Sequence, residues 1–183
     1  MNSHITFNQT PYQSLIWDKF LPPTILNIAN KEFNNLNEND FLTHPTGYKF
    51  APCKEIEVLK FLYSQNLKNK IQSYFNRKIK RSKSYPFPQY YEFPKNYNGL
   101  PPHTDADEDR DLAMIIYLNT EWNKNDGGEL VIMSSEYSIV SEVEPTLNKM
   151  VCLHLNKNAW HAVNKSGDHF KRKTLIIDWD FEE

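Results

Sequence analysis

The apolar positions along this chain change period near its middle. In "PPTILNIANKEFNNL" the residues Ile25, Ile28, Ala29, Phe33 and Leu36 return every three or four positions, the spacing that gathers side chains on one face of a helix. Pro22 and Pro23 stand where a helix can begin, because proline's fixed φ suits a first turn whose N–H groups have no partner within the helix. The same period runs through "EIEVLKFLYSQNLKNKIQSYF", where Leu59, Leu62, Tyr63, Leu67, Ile71, Tyr74 and Phe75 form the stripe. Two half-buried helices are predicted.

From about Tyr85 the text breaks into short runs rich in β-branched and aromatic residues. "YPFPQYYEF", "LAMIIYL", "ELVIM", "YSIVSEV", "KMVCLHL", "WHAV" and "RKTLIIDW" are separated by turn clusters such as "PKNYNGLPP", "NTEWNKNDGG" and "NKSGDHF", which is how strands and their connections read. So many short strands in under a hundred residues predict a sandwich or barrel. Helices first and strands after point to a mainly β, α+β fold, with a β core buttressed by helices on one side rather than alternating βαβ units. One domain is expected over residues 1–183, with helical support over about 1–84 and the β core over about 85–181.

Composition narrows the function classes. The 183 residues carry 39% hydrophobic and 14% aromatic residues at a formal net charge of -2, far from the disordered class and without a global attraction for nucleic acid. The basic stretch "NRKIKRSK", with Arg77, Lys78, Lys80, Arg81 and Lys83, follows the second helix. Cations are favourable at a helix C-terminus, and no stacking aromatics interleave with these, so it reads as a solvated helix end. Cys53 and Cys152 make no metal or redox spacing, no cationic leader opens the chain, and the longest apolar runs fall short of the roughly 20 residues that cross a bilayer. A cytoplasmic protein with neither membrane nor nucleic acid as partner is expected.

The stretch "HTDADEDRD", His103 to Asp111, holds the candidate chemistry. Asp105, Asp107 and Asp109 imitate the start of a calcium loop, but that loop needs Gly at its sixth position and Glu at its twelfth, where this chain has Arg110 and Ile116. His103 and Asp105 lie two apart, so on an extended strand their side chains point the same way and can reach one ion. His161 in "WHAV" is the natural third ligand. Two histidines and a carboxylate are the facial set of non-haem Fe(II) oxygenases, which leaves three positions open. Taken alone, an H-x-D pair with a distant histidine is also compatible with a polar loop before a buried strand.

The surrounding text separates these readings. "YNGLPPHTDADEDRDLAMIIYLN", "GGELVI", "VEPTLNKMVCL", "WHAV" and "KRKTLIIDW" follow in an order and spacing that resembles the prolyl 4-hydroxylase-like branch of the 2-oxoglutarate and Fe(II)-dependent dioxygenases, over roughly Tyr90 to Trp179. The resemblance implies a double-stranded β-helix, the squashed jelly-roll barrel also seen in cupins, with His103, Asp105 and His161 as catalytic iron ligands. It implies that Arg172 holds the distal carboxylate of 2-oxoglutarate, a task for which a permanently charged planar guanidinium is suited, and that Tyr117 offers its hydroxyl to the same carboxylate. Lys171 stands beside Arg172 as the rival cation. Gly127 and Gly128 would turn the chain into "ELVI". Phe93 stands where several relatives carry tyrosine, and keeping Asp105 rather than Ala or Gly separates the chain from halogenase relatives.

The activity so implied is hydroxylation of an unactivated C–H in a protein, peptide or amino-acid substrate, with 2-oxoglutarate decarboxylated to succinate. Fe(II), 2-oxoglutarate and O2 are the expected cofactors and co-substrates, with ascorbate as a further candidate. Asp107, Glu108, Asp109 and Asp111 read as a rim at the barrel mouth, either merely solvated or attractive to a cationic substrate. A nucleic-acid demethylase would carry a second arginine where Asp178 stands. A zinc enzyme with the same triad, an oxidase of the same superfamily acting on another small molecule, and a non-catalytic barrel that binds without turnover compete with the hydroxylase. His154 is read as structural, His4, His44 and His169 as surface or loop residues, and "PKNYNGLPP" as the segment that could move.

Overall fold

The computed structural model describes residues 4–106 and 109–182. Its elements are β1 (Ile5–Asn8), β2 (Ser14–Trp17), α1 (Pro23–Asn35), a 3-10 turn (Glu38–Asp40), β3 (Leu42–Thr43), β4 (Lys49–Pro52), α2 (Ile56–Leu62), α3 (Gln65–Phe75) and β5 (Ile79–Arg81). There follow β6 (Gln89–Phe93), β7 (Leu100–His103), β8 (Leu112–Tyr117), β9 (Leu130–Met133), β10 (Ile139–Val143), β11 (Met150–His154), β12 (His161–Val163) and β13 (Arg172–Phe181).

All seven strands expected from the sequence form, and they fold into two facing sheets. The large sheet runs β1-β2-β11-β8-β13-β6-β4-β3, with β5 paired to β13, and the small one runs β10-β9-β12-β7. Every named pairing is antiparallel. This is the double-stranded β-helix expected from the resemblance, in a mainly β chain with helical support.

Alternation along the central strands divides the core. Leu112, Met114 and Ile116 of β8 and Leu175, Ile177 and Trp179 of β13 face outward onto the helices, against Ala29, Phe33, Val58, Leu62, Ile71 and Phe75. Their odd-numbered neighbours on β8, Ala113, Ile115 and Tyr117, point into the barrel against Leu130, Ile132 and Val163 of the small sheet. Because β8 is buried on both faces, its sequence is a continuous apolar run rather than an alternating one.

The first helix begins at Pro23, as its proline pair predicts. The second expected helix is two. α2 ends at Leu62, and Ser64 starts α3 by accepting a hydrogen bond from the Leu67 N–H (3.3 Å). The apolar period survives the break because both pieces lie on the same sheet face; Tyr63, at the joint, donates its hydroxyl to the Pro86 carbonyl (2.9 Å) and meets Trp179 edge-on. The basic stretch is more than a helix end: Ile79 is fully buried and β5 pairs with the end of β13. Residues 4–84 thus add five strands to the helical support, and all of them join the large sheet.

Candidate active site

His103 closes β7 and His161 opens β12, and the antiparallel register sets the two opposite each other with ring centroids 4.3 Å apart. Gly99 makes this approach possible. It has φ +83°, and a Cβ there would collide with the Val163 carbonyl of the neighbouring strand. Each imidazole is oriented by a backbone carbonyl two residues upstream: His103 Nδ1 lies 2.7 Å from the Pro101 oxygen and His161 Nδ1 lies 2.9 Å from the Ala159 oxygen. A carbonyl can only accept, so Nδ1 carries the proton that donates and Nε2 is the nitrogen turned to the site.

Asp105 completes the cluster. Its Oδ1 is 3.6 Å from His103 Nε2 and its Oδ2 is 3.6 Å from His161 Nε2, and one ligand atom from each of the three residues falls within 4.8 Å of the others. Burial pushes the Asp105 carboxyl up, but its hydrogen bond with His161 and the charges of Arg110, His161 and His103 outweigh this and bring it down to about 2. An ionised carboxylate and two oriented imidazoles suit a divalent first-row metal.

The cluster lies in a cavity of about 510 Å³ between the sheets, and Arg172 lines the same cavity. Arg172 is 2% exposed. Its Nε donates to the Gly128 carbonyl (3.0 Å) and its Nη2 to the Tyr117 hydroxyl (3.4 Å), and among the described residues no carboxylate is paired with it. Tyr117 accepts from the arginine, so its own proton is available to another acceptor, and burial, opposed by Arg172, raises its pKa and keeps that proton in place. One residue pair further, Thr174 Oγ1 is buried without a hydrogen-bond partner. A buried cation and two buried hydroxyls with unused capacity fit an anionic carboxylate, because such groups are costly when left unmatched. Ile115, Leu130, Val163 and Ile176 line the same cavity with apolar surface. The residues therefore fit both Fe(II) and 2-oxoglutarate.

The neighbouring cation points elsewhere. Lys171 pairs with Glu92 at the surface (2.9 Å). Gly127 and Gly128 both have positive φ and precede β9 as expected, and Gly128 in addition supplies the carbonyl that orients Arg172.

The acidic run divides. Asp107 and Glu108 lie outside the described residues. Asp109 borders a separate groove together with Arg77, Lys80 and Lys83. Asp111 is committed to the fold: its Oδ2 accepts from the Phe181 N–H (2.6 Å). The "PKNYNGLPP" segment is strapped to the turn before β13 through Asn96 N to Gly167 O, Tyr97 N to Ser166 Oγ and Ser166 N to Tyr97 O, at 2.9 to 3.0 Å. His154 is away from the cluster, beside Gln13 and edge-on to Phe181.

Three features of the site have little or no signature in the sequence. Arg110 bridges Asp105 and Asp178. Thr174 is visible there only as part of an R-x-T string, although its place two residues after Arg172 puts it on the same inward face. His44, expected in a surface loop, is indeed in a loop, but it stacks on Tyr48 (4.3 Å, 5°) and both line the cavity with Phe50, Tyr91 and Phe93. Nothing in the first half of the sequence marks these rings as one wall, since they come together only when β4 pairs with β6.

Residues 88–179 match the family described as the 2OG-Fe(II) oxygenase superfamily. A curated prolyl 3-hydroxylase of Xenopus laevis is 29% identical over 82 residues, which is 42% of this chain and only 16% of that protein's length. Among solved structures, a prolyl-4-hydroxylase of Pseudomonas putida superposes with TM-score 0.73 at 17% identity, covering 93% of both chains. A Trichoplax adhaerens prolyl hydroxylase, solved with a fragment of the hypoxia inducible factor oxygen degradation domain, gives TM-score 0.71 at 18% identity over 91% of this chain and 83% of that one. At such identities the structures establish the shared fold, and it is the family match over half the chain that establishes descent: the protein belongs to the 2OG-Fe(II) oxygenase superfamily.

Proposed function

We propose that this chain works as one catalytic domain that hydroxylates a C–H bond of a peptide, protein or amino-acid substrate, with His103, Asp105 and His161 holding Fe(II) and Arg172, Tyr117 and Thr174 holding the distal carboxylate of 2-oxoglutarate. The observation that carries the reading is the buried Arg172, unmatched by any described carboxylate, in the same cavity as the oriented metal cluster. When bound, Fe(II) with 2-oxoglutarate and O2 supplies the oxidising power, with 2-oxoglutarate leaving as succinate and CO2.

The chain's own residues bind, orient and exclude water. The carbonyls of Pro101 and Ala159 hold the imidazoles with Nε2 inward, and Asp105 stays ionised at any working pH. Arg172 fixes the far end of the co-substrate through charge-assisted hydrogen bonds, while the apolar walls keep water from the reacting centre. The aromatic wall of His44, Tyr48, Phe50, Tyr91 and Phe93 favours a substrate that offers compact apolar C–H surface to the ring faces, and the pyrrolidine ring of a proline-bearing peptide does so. A preference for cationic substrates rests on the acidic run alone, and Asp109→Asn tests it through the salt dependence of substrate affinity.

The reading predicts that protein, Fe(II), 2-oxoglutarate, O2 and ascorbate as reductant together convert 2-oxoglutarate to succinate. With proline-bearing peptides, mass spectrometry should find the gain of one oxygen atom. Absence of succinate under all conditions, from protein that binds Fe(II), would instead support a barrel that binds without turnover.

A further inference from the structure

Arg110 sits between two carboxylates at the edge of the metal cluster. Its Nη2 donates to Asp105 Oδ2 (2.9 Å) and its Nη1 to Asp178 Oδ1 (2.6 Å). All three side chains are largely buried, with Arg110 at 11%, Asp105 at 14% and Asp178 at 5% exposure, and the guanidinium also lies 4.8 Å from the Tyr85 ring. Asp178 stands on β13 at even spacing from Arg172, Thr174 and Ile176, and so on the barrel side of the strand. A charge in that position is costly unless paired, so Arg110 and Asp178 make sense as a unit.

We propose that Arg110 is a positioning residue for the metal ligand Asp105, with Asp178 as the buried counter-charge that fixes the guanidinium; this rests on the metal-site reading above. The planar fork keeps one carboxylate oxygen of Asp105 engaged, and leaves the other to offer to a metal. Without that restraint the carboxylate is free to turn away from the two imidazole Nε2 atoms, so the third ligand would no longer be held in place before a metal arrives. Asp178 also cancels the charge that Arg110 would otherwise bring close to a metal dication. Arg110 and Asp178 sum to zero, so the cluster keeps the single negative charge of Asp105.

The test is Mn(II) alone as probe, with bound and free ion counted by electron paramagnetic resonance in the unsubstituted protein, in R110Q/D178N and in R110K. The double variant removes both charges of the Arg110–Asp178 pair and leaves two amides able to hydrogen-bond each other, so that residue 178 carries no buried charge without its counter-ion; its melting curve reports folding. Mn(II) affinity should fall roughly 10- to 100-fold, the range for losing an outer partner of a metal ligand. R110K keeps the charge but loses the fork, so it should fall between the two, and it gives the same comparison if the double variant melts early. A double variant that binds Mn(II) as tightly as the unsubstituted protein would overturn the role of Arg110 and leave the metal site standing. An unsubstituted protein that binds no Mn(II) would overturn the metal-site reading and this inference with it.

Discussion

Arg172 and Lys171 are neighbours in the chain and opposites in the fold, one sealed in the barrel and the other tied to Glu92 outside it. Hydrogen bonds to a charged group contribute about 1.5–3 kcal/mol each, so Arg172→Ala should weaken 2-oxoglutarate binding roughly 10- to 100-fold. Lys171→Ala should leave it unchanged; calorimetric titration of the Mn(II)-loaded protein separates the two. Asp105→Ala removes the anionic ligand and should abolish both metal retention and succinate formation. The triad was legible because H-x-D places two ligands on one side of an extended backbone and "WHAV" supplies a third on a strand of the same sheet. Arg110 was not legible, since its partners lie 5 and 68 positions away and only the fold brings them to one guanidinium.

Elements, rather than residues, explain why the seven later strands could be read and the earlier ones could not. "LAMIIYL" and "TLIIDW" are long apolar runs that fill both faces of a central strand, and the short β9 and β12 stand beside the turn clusters "NTEWNKNDGG" and "NKSGDHF", whereas β1, β2 and β4, of four residues each, and β3, of two, are scattered among the helices. β5 hides a single buried Ile79 between cations, and β7 carries Pro101 and Pro102, which are tolerated because it is an edge strand. The unexpected break at Ser64 makes a direct prediction. Ser64→Ala removes the cap of α3 and should cost about 1 kcal/mol, read by chemical denaturation, with metal affinity unaffected. Gly99→Ala should do the reverse of sparing the site: positive φ and the Val163 carbonyl both oppose it, so stability and Mn(II) affinity should fall together.

At the scale of the molecule, the two ends of the proposed reaction come from different layers. The small sheet brings His103 and His161, the large sheet brings Arg172, Tyr117 and most of the aromatic wall, and the helices stiffen the large sheet from behind. A ligand set that spans both layers should cross-brace them. Mn(II) with 2-oxoglutarate at a hundred times its dissociation constant should stabilise the fold by about 2.7 kcal/mol, a rise in Tm of about 5 to 10 °C for a chain of this size, with a smaller rise in Arg172→Ala. The most direct measurement of the central claim is an anaerobic titration of the metal-free protein with Fe(II) and 2-oxoglutarate, followed by the weak visible charge-transfer band of the chelate. The account predicts a band that requires both additions and is lost or weakened in Asp105→Ala and Arg172→Ala. No band, from folded protein given both, would contradict it.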